Sequence, residues 1–262
     1  MIKLVASDLD GTLLTSKNEV DDKFWEIFQK LKRKNILFAI ISGRQYYSIL
    51  EKFEKIKDEI IIAAENGTYI LYKGKELYSN PFNSKELVEI QDILKKAEAN
   101  NLFLCGKKAT YTKVQDRNIL EAASKFFKKI NIVSSFEEIY DEILKIAVYE
   151  KQGIEKKVYD KIKNNKNKFY ITLTGYHWLD IMRLNSNKGK AIEKIEENFG
   201  IKNDEILAFG DYMNDYEMIE KVKYGVAMEN SHSDLKKIAK IITKSNDEHG
   251  VIEIIEKYIL KA

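Results

Sequence analysis

Cysteine and proline each occur once in the 262 residues, as Cys105 and Pro81, and histidine only three times. A single cysteine excludes an internal disulfide and fits a reducing cytoplasm. His177, His232 and His249 stand far apart and none is in ligand spacing with the cysteine, so a structural zinc site is not expected. Long apolar runs are missing too, and those present are too short to span a bilayer. Nor is there a block of one charge. The formal net charge is +3, with lysines scattered among acids, which argues against nucleic acid as a partner. Met1-Ile2-Lys3 leads straight into the first apolar run without a charged-then-apolar leader, so no secretory signal is expected. What remains, 44% hydrophobic and 32% charged, is ordinary for a globular chain and excludes the disordered and membrane classes. The length admits one large domain or two smaller ones.

Against this plain background stands DLDGTL at residues 8–13, where Asp8 and Asp10 lie one residue apart just after an apolar run. Ile2, Leu4, Val5 and Ala6 read as a short buried strand ending at the Gly11 turn. Both acids therefore fall at a strand's carboxyl end, where open parallel sheets bind ligands. Carboxylates that close repel one another, and a bound cation relieves the repulsion. Hard oxygen ligands favour magnesium over a soft metal.

Phe24, Ile27, Phe28 and Leu31 recur at three and four, an amphipathic helix ending near Asn35. Ile36 to Ile41 is continuously apolar, a strand buried on both faces that stops at Ser42-Gly43-Arg44. A helix over about 45–56 and a strand from Ile60 to Ala64, stopping at Glu65-Asn66-Gly67, repeat the pattern and imply a parallel sheet. A hairpin is expected at Lys73-Gly74. Pro81, within the polar stretch Asn80 to Ser84, then marks a domain boundary. Residues 82–184 read as helix (86–100), strands (102–106 and 109–114), helix (117–130), strand (143–149), helix (154–165) and two strands (169–175 and 178–183). That mixed pattern suggests an inserted α+β domain. After Asn185-Ser186-Asn187 the first domain resumes: helix 189–199, strand 205–209, helix 213–221, strand 224–228, then a short strand and helix.

Three further signals stand at element ends. Ser42-Gly43-Arg44 offers a hydroxyl and backbone N–H groups suited to phosphate oxygens, although taken alone it reads first as a strand-to-helix turn capped by Ser42. Lys188-Gly189 opens a helix, where a cation opposes the macrodipole but suits an anion site. A solvated surface lysine is the alternative. GDYMND at 210–215 puts Asp211 at a strand end as Asp8 is, with Asn214 and Asp215 about one turn further on.

The order DLDGTL, SGR, NKG and GDYMND, followed by GVAMEN at 225–230 and SNDEHGV at 245–251, resembles the haloacid dehalogenase superfamily, specifically its Cof-type phosphatases with a type IIB cap. The resemblance runs from residue 4 to about 255, weaker inside the cap. It implies a Rossmann-like α/β core (1–81 and 185–262), its parallel sheet flanked by helices, with an α+β cap inserted at 82–184. It implies a nucleophilic Asp8 that forms an aspartyl-phosphate, and an Asp10 that protonates the leaving oxygen and then activates water. Asp10 would need a raised pKa, which neighbouring carboxylates could supply. By the same resemblance Ser42, Gly43 and Lys188 hold the phosphoryl group. Asp8, the backbone carbonyl of Asp10, and Asp211 bind magnesium, with Asn214 and Asp215 in support. Glu229, where many relatives carry glycine, and Arg183, near a common proline, depart from the pattern outside these motifs.

The expected reaction is hydrolysis of small phosphomonoesters, sugar phosphates or phosphorylated cofactors such as flavin mononucleotide or pyridoxal phosphate. A phosphomutase of similar architecture and a phosphate-ligand-binding regulator stay open as alternatives. Tyr176, His177 and Trp178 could face the substrate, or be ordinary hairpin residues. Arg44 could bind a second anionic or hydroxyl group of the substrate, or pair with an acid. Cys105 reads as a packed core residue.

Overall fold

The computed structural model describes residues 1–260. Its first sheet begins with β1 (Leu4–Ser7), α1 (Asp22–Arg33), β2 (Leu37–Ile41), α2 (Tyr46–Phe53) and β3 (Ile61–Ala64). A hairpin of β4 (Tyr69–Tyr72) and β5 (Lys75–Ser79) turns where expected, with Lys73 and Gly74 both at positive φ.

A second sheet is built from the next stretch: α3 (Ser84–Lys96), β6 (Leu102–Gly106), β7 (Thr110–Thr112), α4 (Arg117–Ser124), β8 (Ile130–Ile132), β9 (Ile143–Tyr149), a helical segment from Glu155 that closes as α5 (Asp160–Ile162), β10 (Phe169–Leu173) and β11 (Trp178–Arg183). The chain then returns to the first sheet with α6 (Lys188–Phe199), β12 (Ile206–Gly210), α7 (Tyr216–Lys221), β13 (Tyr224–Ala227), α8 (Ser233–Ile238), β14 (Ile241–Ile242) and α9 (Gly250–Ile255).

The first sheet runs β14-β13-β12-β1-β2-β3-β4-β5, parallel from β14 to β3 and antiparallel beyond. Successive side chains of a strand point to opposite faces, and here both faces are covered. Val5, Phe38, Ile40 and Phe209 pack under α1, α2 and α9, while Leu4, Ala6, Ala39 and Ala208 pack under α6, α7 and α8. Double burial is why these strands are continuous apolar runs rather than alternating ones. The register pairs Ser7 with Phe209 on one side and with Ile40 on the other. The residues that follow, Asp8, Asp211 and Ser42, thus emerge at the same edge.

The second sheet runs β10-β11-β9-β6-β7-β8, antiparallel except for β7 with β8. One face carries Leu104, Ile146 and Ile181 against α3; the other carries Phe103, Cys105, Ala147 and Tyr149 against Ala123 and Phe127. Asn80, ahead of this segment, donates through Nδ2 to the Leu184 carbonyl (3.1 Å) and Ser186 Oγ (2.8 Å), and Arg183 reaches Glu86 (2.9 Å). The two crossing strands of chain are therefore tied together.

Three expectations need correction. The helix expected to run to residue 130 ends at Ser124, because Phe126 and Phe127 turn inward and residues 130–132 pair with β7 as a strand. The helix expected over 86–100 spans Ser84–Lys96, capped by Asn83, whose side chain accepts from the Glu86 N–H while Glu86 accepts from the Asn83 N–H. The short helix α8 was not foreseen between the last two strands. Among the described residues no helix is long and apolar enough to cross a membrane.

Candidate active site

Asp8 leaves β1 buried at 5% exposure, and Lys188 at the start of α6 is wholly buried beside it. Lys188 Nζ lies 2.6 Å from Asp8 Oδ1 and 2.6 Å from Asp215 Oδ1. Burial alone would strip the proton from this ammonium, but Asp215 and Asp8 hold its pKa above the usual lysine value. The helix-opening lysine is thus a buried counter-ion rather than a surface group. Gly189 does not open the site to a ligand as the sequence suggests. A Cβ there would stand 2.8 Å from Glu217 of α7, so the glycine lets two helices pack closely.

Asp215 has both oxygens engaged, Oδ1 by Lys188 and Oδ2 by the backbone N–H groups of Asp211 (3.0 Å) and Tyr212 (3.1 Å). It shapes the turn after β12 and so aims Asp211. Thr12, within the first motif, donates to Asp211 Oδ1 at 3.2 Å. Gly11 has φ +74, and a Cβ on it would fall inside the Asp211 carboxylate, so only glycine lets the two strand-end loops meet. Asn230 of the GVAMEN stretch donates to the Gly11 carbonyl at 2.8 Å and the His232 N–H to the Asp211 carbonyl at 2.8 Å, bracing both loops from behind. Glu229 is exposed and does not enter this arrangement.

Carboxylate oxygens of Asp8, Asp211 and Asp215 lie within 4.8 Å of one another. Among the described residues, Lys188 is the one cation bonded to this trio. Burial pushes Asp8 up to about 7, with Lys188 opposing and Asp215 and Asp10 adding to the rise. Burial likewise pushes Asp211 well above the usual carboxylate range, and Asp8 and Asp215 push it further. Acids this crowded and this short of positive charge fit a hard divalent cation, with Asp8 and Asp211 free to face it because Asp215 is spent on the protein.

The Asp10 side chain points elsewhere. Both its oxygens accept from Arg44, Oδ2 from Nε at 2.8 Å and Oδ1 from Nη2 at 2.5 Å. Its side-chain partner is the Arg44 guanidinium. Arg44 is only 3% exposed and also donates to Asn18 (2.6 Å), so it pairs with an acid, one of the two roles the sequence allows, while still lining the cavity. Ser42 is buried, and its Oγ accepts from the Arg44 N–H at 3.2 Å, which leaves the hydroxyl proton free to donate. Asn214 lines the same cavity as Asp211 and donates to Asn66 Oδ1 at 3.0 Å.

A cavity of about 330 Å³ opens above these loops. Its floor is Asp8, Asp10, Gly11, Gly43 and Asp211; its opposite wall comes from the second sheet, with Phe126, Phe127, Lys145, Trp178 and Asp180. Ser42, Lys188 and Asp215 lie behind the floor. Of the aromatic trio foreseen at 176–178, Trp178 lines the cavity, His177 bonds the Glu150 carbonyl, and Tyr176 is 70% exposed. Cys105 is fully buried and burial raises its thiol pKa, as a packed residue requires. Sequence reasoning missed Thr12, Asn66, the Phe126-Phe127 pair, Lys145 and Asp180. For Asn66 a signal existed, since Glu65-Asn66-Gly67 ends β3 as the other motifs end their strands.

The profile of the haloacid dehalogenase-like hydrolases matches residues 5–255. An Escherichia coli protein named 5-amino-6-(5-phospho-D-ribitylamino)uracil phosphatase YbjI is 27% identical over 98% of this chain and 96% of its own length. A Bacillus subtilis protein, phosphatase YwpJ, is 27% identical over 97% of this chain and 99% of its own. A crystal structure from Streptococcus mutans superposes with TM-score 0.91 at 29% identity, covering 99% of this chain and all of the other. A subclass IIB sugar phosphatase of the superfamily shares the fold at TM-score 0.85 and 21% identity, over 98% of each chain. With the match spanning both sheets and every strand-end motif, the chain belongs to the haloacid dehalogenase-like hydrolases and is a phosphatase of their Cof type.

Proposed function

We propose that this chain hydrolyses small phosphomonoesters with magnesium bound at Asp8, Asp211 and the Asp10 carbonyl, through an aspartyl-phosphate on Asp8. The observation that carries the reading is Asp8 itself, buried at the cavity floor with Lys188 Nζ 2.6 Å from its Oδ1. An Asp8 oxygen attacks phosphorus, and the bond to the ester oxygen breaks. Asp10 gives that oxygen its proton and later takes one from the water that splits the acyl phosphate, returning free phosphate and the Asp8 carboxylate. Lys188, with a third proton uncommitted, and the Ser42 hydroxyl donate to the phosphoryl oxygens. Magnesium supplies charge neutralisation on those oxygens and on Asp8.

The second sheet, with the linkers at 80–84 and 185–187, acts in this reading as the cap that excludes bulk water. The leaving group meets Phe126, Phe127 and Trp178, a wall suited to a flat ring, with sugar phosphates as the smaller alternative. Phosphorylated cofactors fit that description. So does the substrate in the name of the Escherichia coli relative, a pyrimidine bearing a phosphorylated polyol. Substrates of this kind are met in the cytoplasm, the compartment this reading proposes for the enzyme.

Phosphate release from sugar phosphates, flavin mononucleotide, pyridoxal phosphate and the ribitylaminouracil phosphate, with magnesium and with chelator, tests the reading. Chelator-sensitive release of free phosphate supports it; an isomerised product identifies a mutase, and binding without turnover a regulator. Asp211→Ala should abolish the magnesium response together with activity, and an unchanged magnesium titration would refute its role as a ligand.

A further inference from the structure

Lys145 stands in the middle of β9 with seven consecutive buried residues, and its side chain is 2% exposed. Its ammonium crosses from the second sheet to the first. Nζ donates to the Gly43 carbonyl at 2.6 Å and lies 2.8 Å from Glu65 Oε2 and 3.1 Å from Asp180 Oδ2. The carbonyl takes a hydrogen bond and the two carboxylates pair with the ammonium's charge, so Lys145 is engaged by the protein although the residue lines the cavity. We propose that Lys145 is a positioning residue, which fixes the Ser42-Gly43-Arg44 loop for phosphoryl transfer only when the second sheet is seated on the first. This inference rests on the phosphatase reading of the same site.

The Gly43 carbonyl belongs to the same peptide unit as the Arg44 N–H, and that N–H donates to Ser42 Oγ. Fixing one end of the peptide plane fixes the other. Lys145 thereby holds Ser42 Oγ as an acceptor and directs its hydroxyl proton toward the ligand. Gln45 clamps the far end of the loop to the second sheet's segment: its Oε1 accepts from the N–H groups of Lys128 (3.0 Å) and Lys129 (3.1 Å), its Nε2 donates to Thr110 (3.2 Å), and its own N–H to the Phe126 carbonyl (3.2 Å). The partners of Lys145 are held at some strain. Glu65 and Asn66 have φ +51 and +57, a left-handed pair unusual for Glu. Asn66 donates to Asp180 Oδ2 at 2.7 Å and accepts from Asn214, linking the cluster to the turn after β12. A burial this costly, spent on a loop carbonyl, is poor design for stability alone.

The test compares wild type with Lys145→Met, Lys145→Arg and the uncharged triple variant Glu65→Gln/Lys145→Met/Asp180→Asn, which removes the two acids that the single loss would leave unpaired, each variant's fold being checked by its melting curve. Three esters with unlike leaving groups are used: p-nitrophenyl phosphate, a hexose phosphate and flavin mononucleotide. Lys145→Met and the triple variant should lose about 30-fold or more in kcat, by the same factor for each ester, with KM moving far less. Lys145→Arg should recover part of the loss. Losses that track the leaving group would overturn the proposal by making Lys145 a substrate contact, and a lowered Tm with unchanged kcat would make it purely structural. Hydrogen exchange at residues 43–45 gives a reading free of turnover: about tenfold faster exchange in the triple variant is expected, and unchanged protection would overturn the proposal. Wild-type silence toward every ester would count against the phosphatase reading, leaving the exchange result to judge Lys145.

Discussion

Arg44 closes on Asp10 as a two-pronged fork, with Nε and Nη2 each on its own carboxylate oxygen. The arginine is buried and the aspartate's side chain is 43% exposed, so the rigid partner orients the mobile one. A carboxylate that must meet first a leaving oxygen and then a water benefits from such an anchor.

Lysine at position 44 keeps the charge but not the fork. Arg44→Lys should therefore lower kcat by about 10- to 100-fold through a misplaced Asp10, with little change in thermal stability. Steady-state kinetics beside a melting curve check this, and a kcat equal to wild type would mean that Asp10 needs no such anchor.

Gly11 meets Asp211 where any side chain would collide with the carboxylate. Gly11→Ala should push Asp211 aside and raise the magnesium concentration for half-maximal activity by at least about tenfold. Titration with magnesium measures it; an unshifted midpoint would show that Asp211 is free to move.

Much of this site is legible in the chain because Asp8, Ser42 and Asp211 each follow an unbroken apolar strand, and the parallel register gathers such ends at one edge. Lys145 leaves one trace, a lone lysine inside the apolar run ILKIAVY, but its target, the Gly43 carbonyl, lies about a hundred residues away and only tertiary packing brings it near. Phe126 and Phe127 fit helical spacing in sequence. Gln45 takes the next backbone N–H groups and cavity packing takes the rings, which overrides local propensity. Gly189 reads in the sequence as ligand access, and only the position of α7 shows it to be a packing glycine.

Cys105 should resist iodoacetamide in the native protein at pH 8, since burial both shields the thiol and disfavours the reactive thiolate. Mass spectrometry before and after denaturation checks this. Rapid native labelling would show that the second sheet opens readily.

Burial raises the Glu65 pKa despite its contact with Lys145. A carboxyl that holds its proton more tightly when folded loses stability as pH climbs from its unfolded value of 4.5 through the folded one. Glu65→Gln should therefore raise Tm relative to wild type at pH 8, with the advantage fading toward pH 4. Melting curves across that range decide it; a variant less stable at pH 8 than at pH 4, relative to wild type, would mean that the ion pair outweighs desolvation.

The most direct measurement is rapid acid quenching of enzyme mixed with magnesium and a ³²P-labelled phosphomonoester that it turns over, followed by peptide mapping. The account predicts acid-stable, hydroxylamine-labile label on the peptide carrying Asp8, and neither label nor turnover in Asp8→Asn. Turnover without protein-bound label, or an Asp8→Asn variant that still releases phosphate, would contradict it.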